Sequence, residues 1–155
     1  MSYPAIGSKA PQFELPTDDG GVVSLAALLG KKVVLYFYPK DDTSGCTTEA
    51  LDFSAKQDDF AAADTLVIGI SPDSVDRHGK FRKKHALTVR LAADPERQAI
   101  EAYGVWQEKS MYGRAYMGVA RTTFLIDRDG KIAEVWPKVR VAGHAEAVLA
   151  AARKL

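Results

Sequence analysis

Residues 32–46 read KVVLYFYPKDDTSGC. Lys32 to Tyr38 is a near-continuous run of β-branched and aromatic residues, the pattern of a strand covered on both faces. Pro39 to Gly45 is loop by composition. From about Thr47 to Ala63 the chain reads as helix. Leu51, Phe53 and Phe60 lie within it, and Glu49 and Asp52 stand near its start, where the helix dipole favours acids. A buried strand feeding a polar loop and then a helix is one unit of an alternating α/β sheet.

Upstream, Pro4, Pro11 and Pro16 keep the chain extended, because proline withholds a backbone donor and fixes φ. Asp18 to Gly21 is a turn, and the short strand candidate Val22 to Leu25 completes an N-terminal β-hairpin. Downstream, Thr65 to Ile70 is a second buried strand, and Ser71-Pro72-Asp73-Ser74 supplies helix-start chemistry for Val75 to His85. Val89 to Ala92 is a third strand, and Asp94-Pro95 opens a short helix to about Tyr103. Val105 to Gly118 reads as irregular. Thr122 to Asp127 and Lys131 to Trp136 form a hairpin on the Arg128-Asp129-Gly130 turn. A helix from about His144 to Arg153 closes the chain. Alternating β and α units give parallel strands, and the late hairpin adds antiparallel ones. The expected fold is therefore α/β: a thioredoxin-like mixed central sheet flanked by helices on both faces, preceded by the β-hairpin, in one domain spanning 1–155.

The 155 residues suffice for one full core, and the apolar share of 46% and charged share of 26% are those of a water-soluble globular chain. A net charge of +1 carries no electrostatic footprint for nucleic acid or an anionic membrane. The densest basic clusters, Lys31-Lys32 and Arg82-Lys83-Lys84, read as solvated surface. The opening MSYPAIGSKAPQFELP lacks the charged lead-in and apolar run of a secretory signal. No stretch approaches the ~20 apolar residues of a membrane helix. A single cysteine excludes an internal disulfide framework and any multi-cysteine metal site, so a cytoplasmic address is expected.

That cysteine, Cys46, falls at the first turn of a helix, after a strand and a polar loop. Backbone N–H groups there lack intrahelical partners and the dipole is positive, so both favour a thiolate. An unperturbed thiol, with pKa ~8.5, is about 3% ionised at neutral pH, whereas one lowered to ~6 is about 90% ionised. The difference is ~3.4 kcal/mol in favour of the anion. Neighbours Lys40 to Ser44 and Thr47 to Glu49 are polar, which does not suit an inert core thiol. Gly45 leaves room for close approach to the backbone. Thr43, three residues before the sulfur, either reaches an oxygen atom held there or serves as a turn or cap residue.

Pro39-Lys-Asp-Asp-Thr43-Ser-Gly-Cys46 matches P-x-x-x-T-x-x-C, and on this motif the chain resembles the peroxiredoxins. The longer run YPKDDTSGCTTEALDF is similar to the Q-type, or bacterioferritin-comigratory, subfamily. The likeness extends through APQFELP, VIGISPDS, LAADPE, YGVW, ARTTFLIDRDGKI and Gly143-His144, over nearly the whole chain. It implies that Cys46 is the peroxidatic cysteine, that Thr43 engages the peroxide and that Arg121 neighbours the thiolate and orients the substrate. Pro39 would shield the sulfur, and Glu49 would pair with Arg121. The implied activity is thiol-dependent reduction of hydrogen peroxide and organic hydroperoxides through a cysteine sulfenic acid.

One departure stands out. Relatives of this type carry a resolving cysteine five residues after the peroxidatic one or in the following helix. Here those positions are Leu51 and, near the second, Arg82. The resemblance then implies a one-cysteine cycle in a monomer, closed by an external thiol such as thioredoxin, glutaredoxin or glutathione. Without that reductant the sulfenic acid advances toward sulfinic and sulfonic acid. The rival reading is a peroxide-sensing redox switch that oxidises once and acts on a partner protein.

Other features imply less. His78, His85 and His144 show no metal-ligand spacing, so no metal is expected. No glycine fingerprint points to a nucleotide cofactor, and no cofactor is expected. No nucleophile signature supports a cysteine protease. Trp106 and Trp136 read as core or rim packing, and Lys109 to Gly118 as either a covering loop or a flank of the active site.

Overall fold

The computed structural model describes residues 3–155. Five strands form the central sheet: β3 (Lys32–Phe37), β4 (Thr65–Ser71), β5 (Arg90–Ala93), β8 (Thr122–Ile126) and β9 (Ile132–Trp136), in the order β5-β4-β3-β8-β9. β3 pairs parallel with β4 and antiparallel with β8, so the sheet changes sense beside its central strand. All six residues of β3 are buried, as its unbroken apolar run demands. β1 (Glu14–Pro16) and β2 (Val22–Ser24) form the expected N-terminal hairpin.

Strand alternation divides the core in two. Val33, Leu35 and Phe37 face a layer that includes Phe13, Leu15, Ile100 and Tyr103, brought by the N-terminal hairpin and α4 (Gln98–Ala102). Val34, Tyr36 and Tyr38 face the other helices: α1 (Ser44–Ala55), α2 (Gln57–Ala62), α3 (Val75–His85) and α5 (His144–Lys154). Tyr36 stacks on Phe53 of α1 with ring centroids 4.6 Å apart. It also leans over its strand partner Gly69, where an added Cβ would lie 2.5 Å from the Tyr36 ring, so only glycine fits. That stack seats α1, and therefore Cys46, against the sheet.

Three expectations change. The single helix from Thr47 to Ala63 is two helices, broken at Lys56, and the first begins earlier, at Ser44. The stretch 105–118 is not irregular. It forms an antiparallel ribbon of β6 (Trp106–Met111) and β7 (Arg114–Val119) around Tyr112-Gly113, whose φ angles of 51° and 75° are the left-handed pair of a tight hairpin turn.

The basic clusters are not simply solvated. Lys32 is 4% exposed, and its Nζ donates to the carbonyl of Ala152 at 2.7 Å, serving the end of α5. Arg82 is a clamp: it donates to the Asp18 carboxylate and to the carbonyls of Leu87 and Val89, each carbonyl at 2.7 Å. Among the described residues, no helix is long and apolar enough to cross a membrane.

Candidate active site

Cys46 is the third residue of α1, inside the first turn whose N–H groups lack intrahelical acceptors. Its sequence neighbours are polar, but the sulfur itself faces inward. Cys46 is 1% exposed and packs in the layer of Tyr36, Tyr38, Ala50 and Phe53. Of the polar loop residues, Lys40, Asp42, Thr43 and Ser44 are exposed and only Asp41 turns inward, so the thiol sits in a mainly apolar layer where polar surroundings were expected.

Among the described residues, one charged side chain bonds the sulfur. Arg121, in the residue preceding β8, places Nη2 3.2 Å from Cys46 Sγ, while its Nη1 donates to Glu49 Oε1 at 2.7 Å. Glu49 lies three residues after Cys46, so one helix face presents both to one guanidinium. The Arg121 fork thus spans the thiol and the carboxylate. Gly45 makes this possible from the other side: a Cβ there would stand 3.2 Å from Arg121 Nη2. The space left by Gly45 is filled by the guanidinium, not held open at the backbone.

Burial works against the charge on Arg121, but the Glu49 and Cys46 charges outweigh it and hold the guanidinium above its ordinary range. Burial raises the Glu49 carboxyl to about 7, with Arg121 pulling the other way. Glu49 Oε2 and the Tyr36 hydroxyl are both buried without a hydrogen-bond partner among the described residues. Desolvation also drives Tyr36 far above the normal phenol range, reinforced by the charges of Glu49 and Cys46.

The Glu49 carboxyl has a consequence for stability. Its folded value near 7 lies above the ordinary 4.5 of an exposed carboxyl in the unfolded chain, so its contribution to stability is full below 4.5 and is lost as pH rises through 7. The change across that window is roughly 3 kcal/mol. Glu49→Gln should therefore flatten the pH dependence of unfolding between pH 4.5 and 7.5, measured by urea denaturation. An unaltered slope would show that Glu49 is ionised throughout.

The loop leading to Cys46 is tied to α3 by two consecutive acids. Asp41 accepts from the Tyr38 hydroxyl at 2.6 Å and is hydrogen-bonded to His78 Nδ1 at 2.6 Å. His78 Nε2 donates to the carbonyl of Ala92 at 3.0 Å. Asp42, at φ 62°, is paired with Lys84 at 2.7 Å and His85 at 2.8 Å, and those two partners hold its carboxyl below the usual range. The Asp41 backbone N–H donates to Asp73 Oδ2 at 2.7 Å. Asp41, Asp73 and His78 bring ligand-type atoms within 4.8 Å of one another, a grouping that sequence spacing did not reveal. Each of these side chains is already engaged by protein donors or acceptors, Asp73 by Ser71 and Arg77 as well.

The remaining candidates fall as follows. Thr43 caps α1 by position but not by side chain. Its hydroxyl donates to the Lys40 carbonyl at 2.8 Å, which leaves the oxygen's lone pairs as acceptors. It is exposed, and Pro39 is half-buried. Leu51 is 42% exposed on the outer side of α1, while Arg82 sits in its clamp on α3. His144 accompanies the site from behind: it bonds Thr123 Oγ1 at 2.8 Å, and burial, then the Arg121 charge, lowers it to about 4. Lys109 donates to the carbonyl of Val119 at 3.0 Å, two residues before Arg121, and burial, then the Arg121 charge, lowers its proton affinity while Cys46 opposes both.

The AhpC/TSA family model matches residues 6–135. Peroxiredoxin Bcp of Bacillus subtilis is 50% identical over 139 residues, covering 90% of this chain and 88% of that protein. Peroxiredoxin Q of Xanthomonas campestris superposes with a TM-score of 0.87 at 42% identity, covering 92% of this chain and 90% of the other. A second structure, of the X. campestris bacterioferritin comigratory protein and described in connection with its alkyl peroxide reduction activity, gives 0.90 at 39% identity over 97% and 98%. A match of this breadth, joined to a thioredoxin-like sheet, shows that the chain belongs to the AhpC/TSA family as a Q-type (Bcp) peroxiredoxin, a thiol-dependent peroxidase.

Proposed function

We propose that the chain reduces hydrogen peroxide and organic hydroperoxides by a one-cysteine cycle on Cys46. The observation that carries this reading is the contact of 3.2 Å between Arg121 Nη2 and Cys46 Sγ, at the first turn of α1. The Cys46 thiolate attacks one peroxide oxygen, the O–O bond breaks, and the departing oxygen takes a proton to leave as water or alcohol. Arg121 holds the thiolate and donates to oxygen atoms that gain charge in the transition state. The free lone pairs of Thr43 Oγ1 accept from the peroxide hydroxyl. Pro39 shapes the loop over the sulfur. The alkyl peroxide activity named for the X. campestris relative supports organic hydroperoxides among the substrates.

The sequence holds no second cysteine, and neither Leu51 nor Arg82 replaces one. An external thiol therefore attacks the Cys46 sulfenic acid and releases water. A second thiol then breaks the mixed disulfide, returning Cys46 and leaving an oxidised reductant. Thioredoxin, a glutaredoxin or glutathione supplies the two thiols, in a cytoplasmic monomer. The lone, buried sulfur also favours one rival reading, a peroxide-sensing switch that acts on a partner without sustained turnover.

Intact mass after one equivalent of hydrogen peroxide, with and without a sulfenic-acid trap, tests the cycle. A trapped adduct on Cys46 is expected. A chain of doubled mass would instead mean resolution between copies, and no change would remove the proposal. Sustained peroxide consumption with one of the named thiols separates the enzyme from the switch, which stalls after one oxidation.

A further inference from the structure

The β6–β7 ribbon pairs Gln107 with Gly118, Lys109 with Tyr116, and Met111 with Arg114. Directly opposed residues share a face of a two-stranded ribbon, so Lys109 and Gly118 lie on the same side, one step apart along the ribbon. The lysine does not extend into water. Its Nζ donates to the carbonyl of Val119 at 3.0 Å, the ribbon's last residue and two before Arg121. Gly118 makes that path available: a Cβ there would stand 3.2 Å from Lys109 Cδ and 3.4 Å from the Tyr116 ring. The aliphatic stem crosses the ribbon over a position that holds no side chain.

The ammonium so placed is half-buried and forms no ion pair among the described residues. Burial lowers its affinity for the proton, and the Arg121 charge lowers it further, whereas Cys46 opposes both. Arg121 already has a carboxylate partner in Glu49. Lys109, on the Val119 carbonyl, and Arg121, on the sulfur, are thus carried by one short stretch of chain, and among the described residues only Arg121 is neutralised by a carboxylate. A half-buried, unpaired cation is costly to the resting fold, and a negative charge on Cys46 offsets that cost.

We infer that Lys109 is a positioning residue of the peroxidase reaction, holding the Val119–Arg121 segment by its carbonyl and adding a second fixed positive charge toward the Cys46 sulfur. The inference rests on Cys46 being the nucleophile. The charge acts wherever negative charge resides at the sulfur: in the thiolate before attack and on the oxygen leaving it. Other groups facing the sulfur or its arginine are Glu49 from α1, Tyr36 from β3 and His144 from α5. Glu49 is the one that titrates near neutrality, so the comparison belongs below and above pH 7 and again in a Glu49→Gln background.

The test uses the full chain and reads the thiol directly. The rate of iodoacetamide alkylation is followed against pH in the native protein, Lys109→Gln, Lys109→Arg and Gly118→Ala, with single-turnover oxidation by hydrogen peroxide alongside. Lys109→Gln should move the alkylation midpoint upward by roughly half a pH unit and slow oxidation at pH 6 by roughly threefold, with the difference vanishing above the midpoint. Lys109→Arg should restore most of both, and Gly118→Ala should give a smaller change in the same direction. A midpoint and rate unmoved by Lys109→Gln would overturn the inference. So would equal defects in the Gln and Arg variants, which would reduce the lysine to a packing element. If the native protein fails to react with peroxide while the midpoints still separate, the peroxidase reading fails and the electrostatic placement of Lys109 stands.

Discussion

Cys46→Ser should reduce peroxide consumption to the uncatalysed background, a fall of roughly a thousandfold or more. A serine hydroxyl stays protonated near neutrality, and among the described residues the one polar side chain bonded to the sulfur is a cation, Arg121, which cannot remove its proton. The nearby imidazole cannot take over, since His144 is engaged by Thr123. The substitution is close in volume, so the helix start and its packing on Tyr36 and Ala50 should persist, and circular dichroism and urea melts should show little change. Peroxide consumption with a thiol reductant is the measurement, and residual turnover within tenfold of native would remove Cys46 from the mechanism.

Arg121→Ala should have the second largest effect, and on two quantities at once. It deletes the 3.2 Å donor to the sulfur, and loss of one such donor slows a reaction by roughly a hundredfold or more. The alkylation midpoint should also move to higher pH, because the cation favouring the thiolate is gone. It further leaves Glu49, whose side chain is 2% exposed, without its partner. Stranding a buried charge costs roughly 3–5 kcal/mol when the group stays ionised. Glu49 has an escape, since losing Arg121 removes the influence that opposed burial and so drives its carboxyl above 7. The protonated carboxyl tolerates burial, so the stability loss should be small at pH 5 and grow to about 2 kcal/mol at pH 8. Urea denaturation at both pH values, beside stopped-flow oxidation, separates the two effects. A variant that oxidises at the native rate would show that Arg121 serves structure alone.

β3, β4 and β8 are legible because they are buried on both faces or nearly so, and β9 because the Arg128-Asp129-Gly130 turn ties it to β8. The short length of β3, β4 and β8 and their β-branched and aromatic residues mark them as strands. α1 begins three residues before the expected Thr47, because Ser44, Gly45 and Cys46 carry loop composition although they are helical. The β6–β7 ribbon escaped notice for a different reason. Most of its side chains are exposed, so no alternation of apolar and polar residues marks it, and its turn is Tyr-Gly where Asn-Gly would have signalled a hairpin. Of the site, position in the sequence indicated Cys46, whereas Arg121 and Glu49 came only from the family resemblance, and the structure brings Cys46 and Glu49 to the Arg121 guanidinium. Neither indicated Lys109, whose path depends on a glycine nine residues away, nor Asp41 with Asp73 and His78, which meet only because the loop folds back on α3.

The clamp on α3 bears on how such a protein can change over generations. Arg82 stands near a position where the resemblance leads one to expect a resolving cysteine, and its guanidinium has become the partner of Asp18, Leu87 and Val89. Asp18 keeps only 4% of its side chain exposed. Arg82→Cys alone would strand that carboxylate and two carbonyls, a loss of roughly 3 kcal/mol readable in urea melts, from a total stability that for a domain of this size is about 5–15 kcal/mol. A second change, at Asp18, has to come first or come together with it. A cysteine at this position would therefore be tolerated only beside a compensating change on the β1–β2 turn, which couples the redox chemistry open to the chain to an ion pair remote from the sulfur.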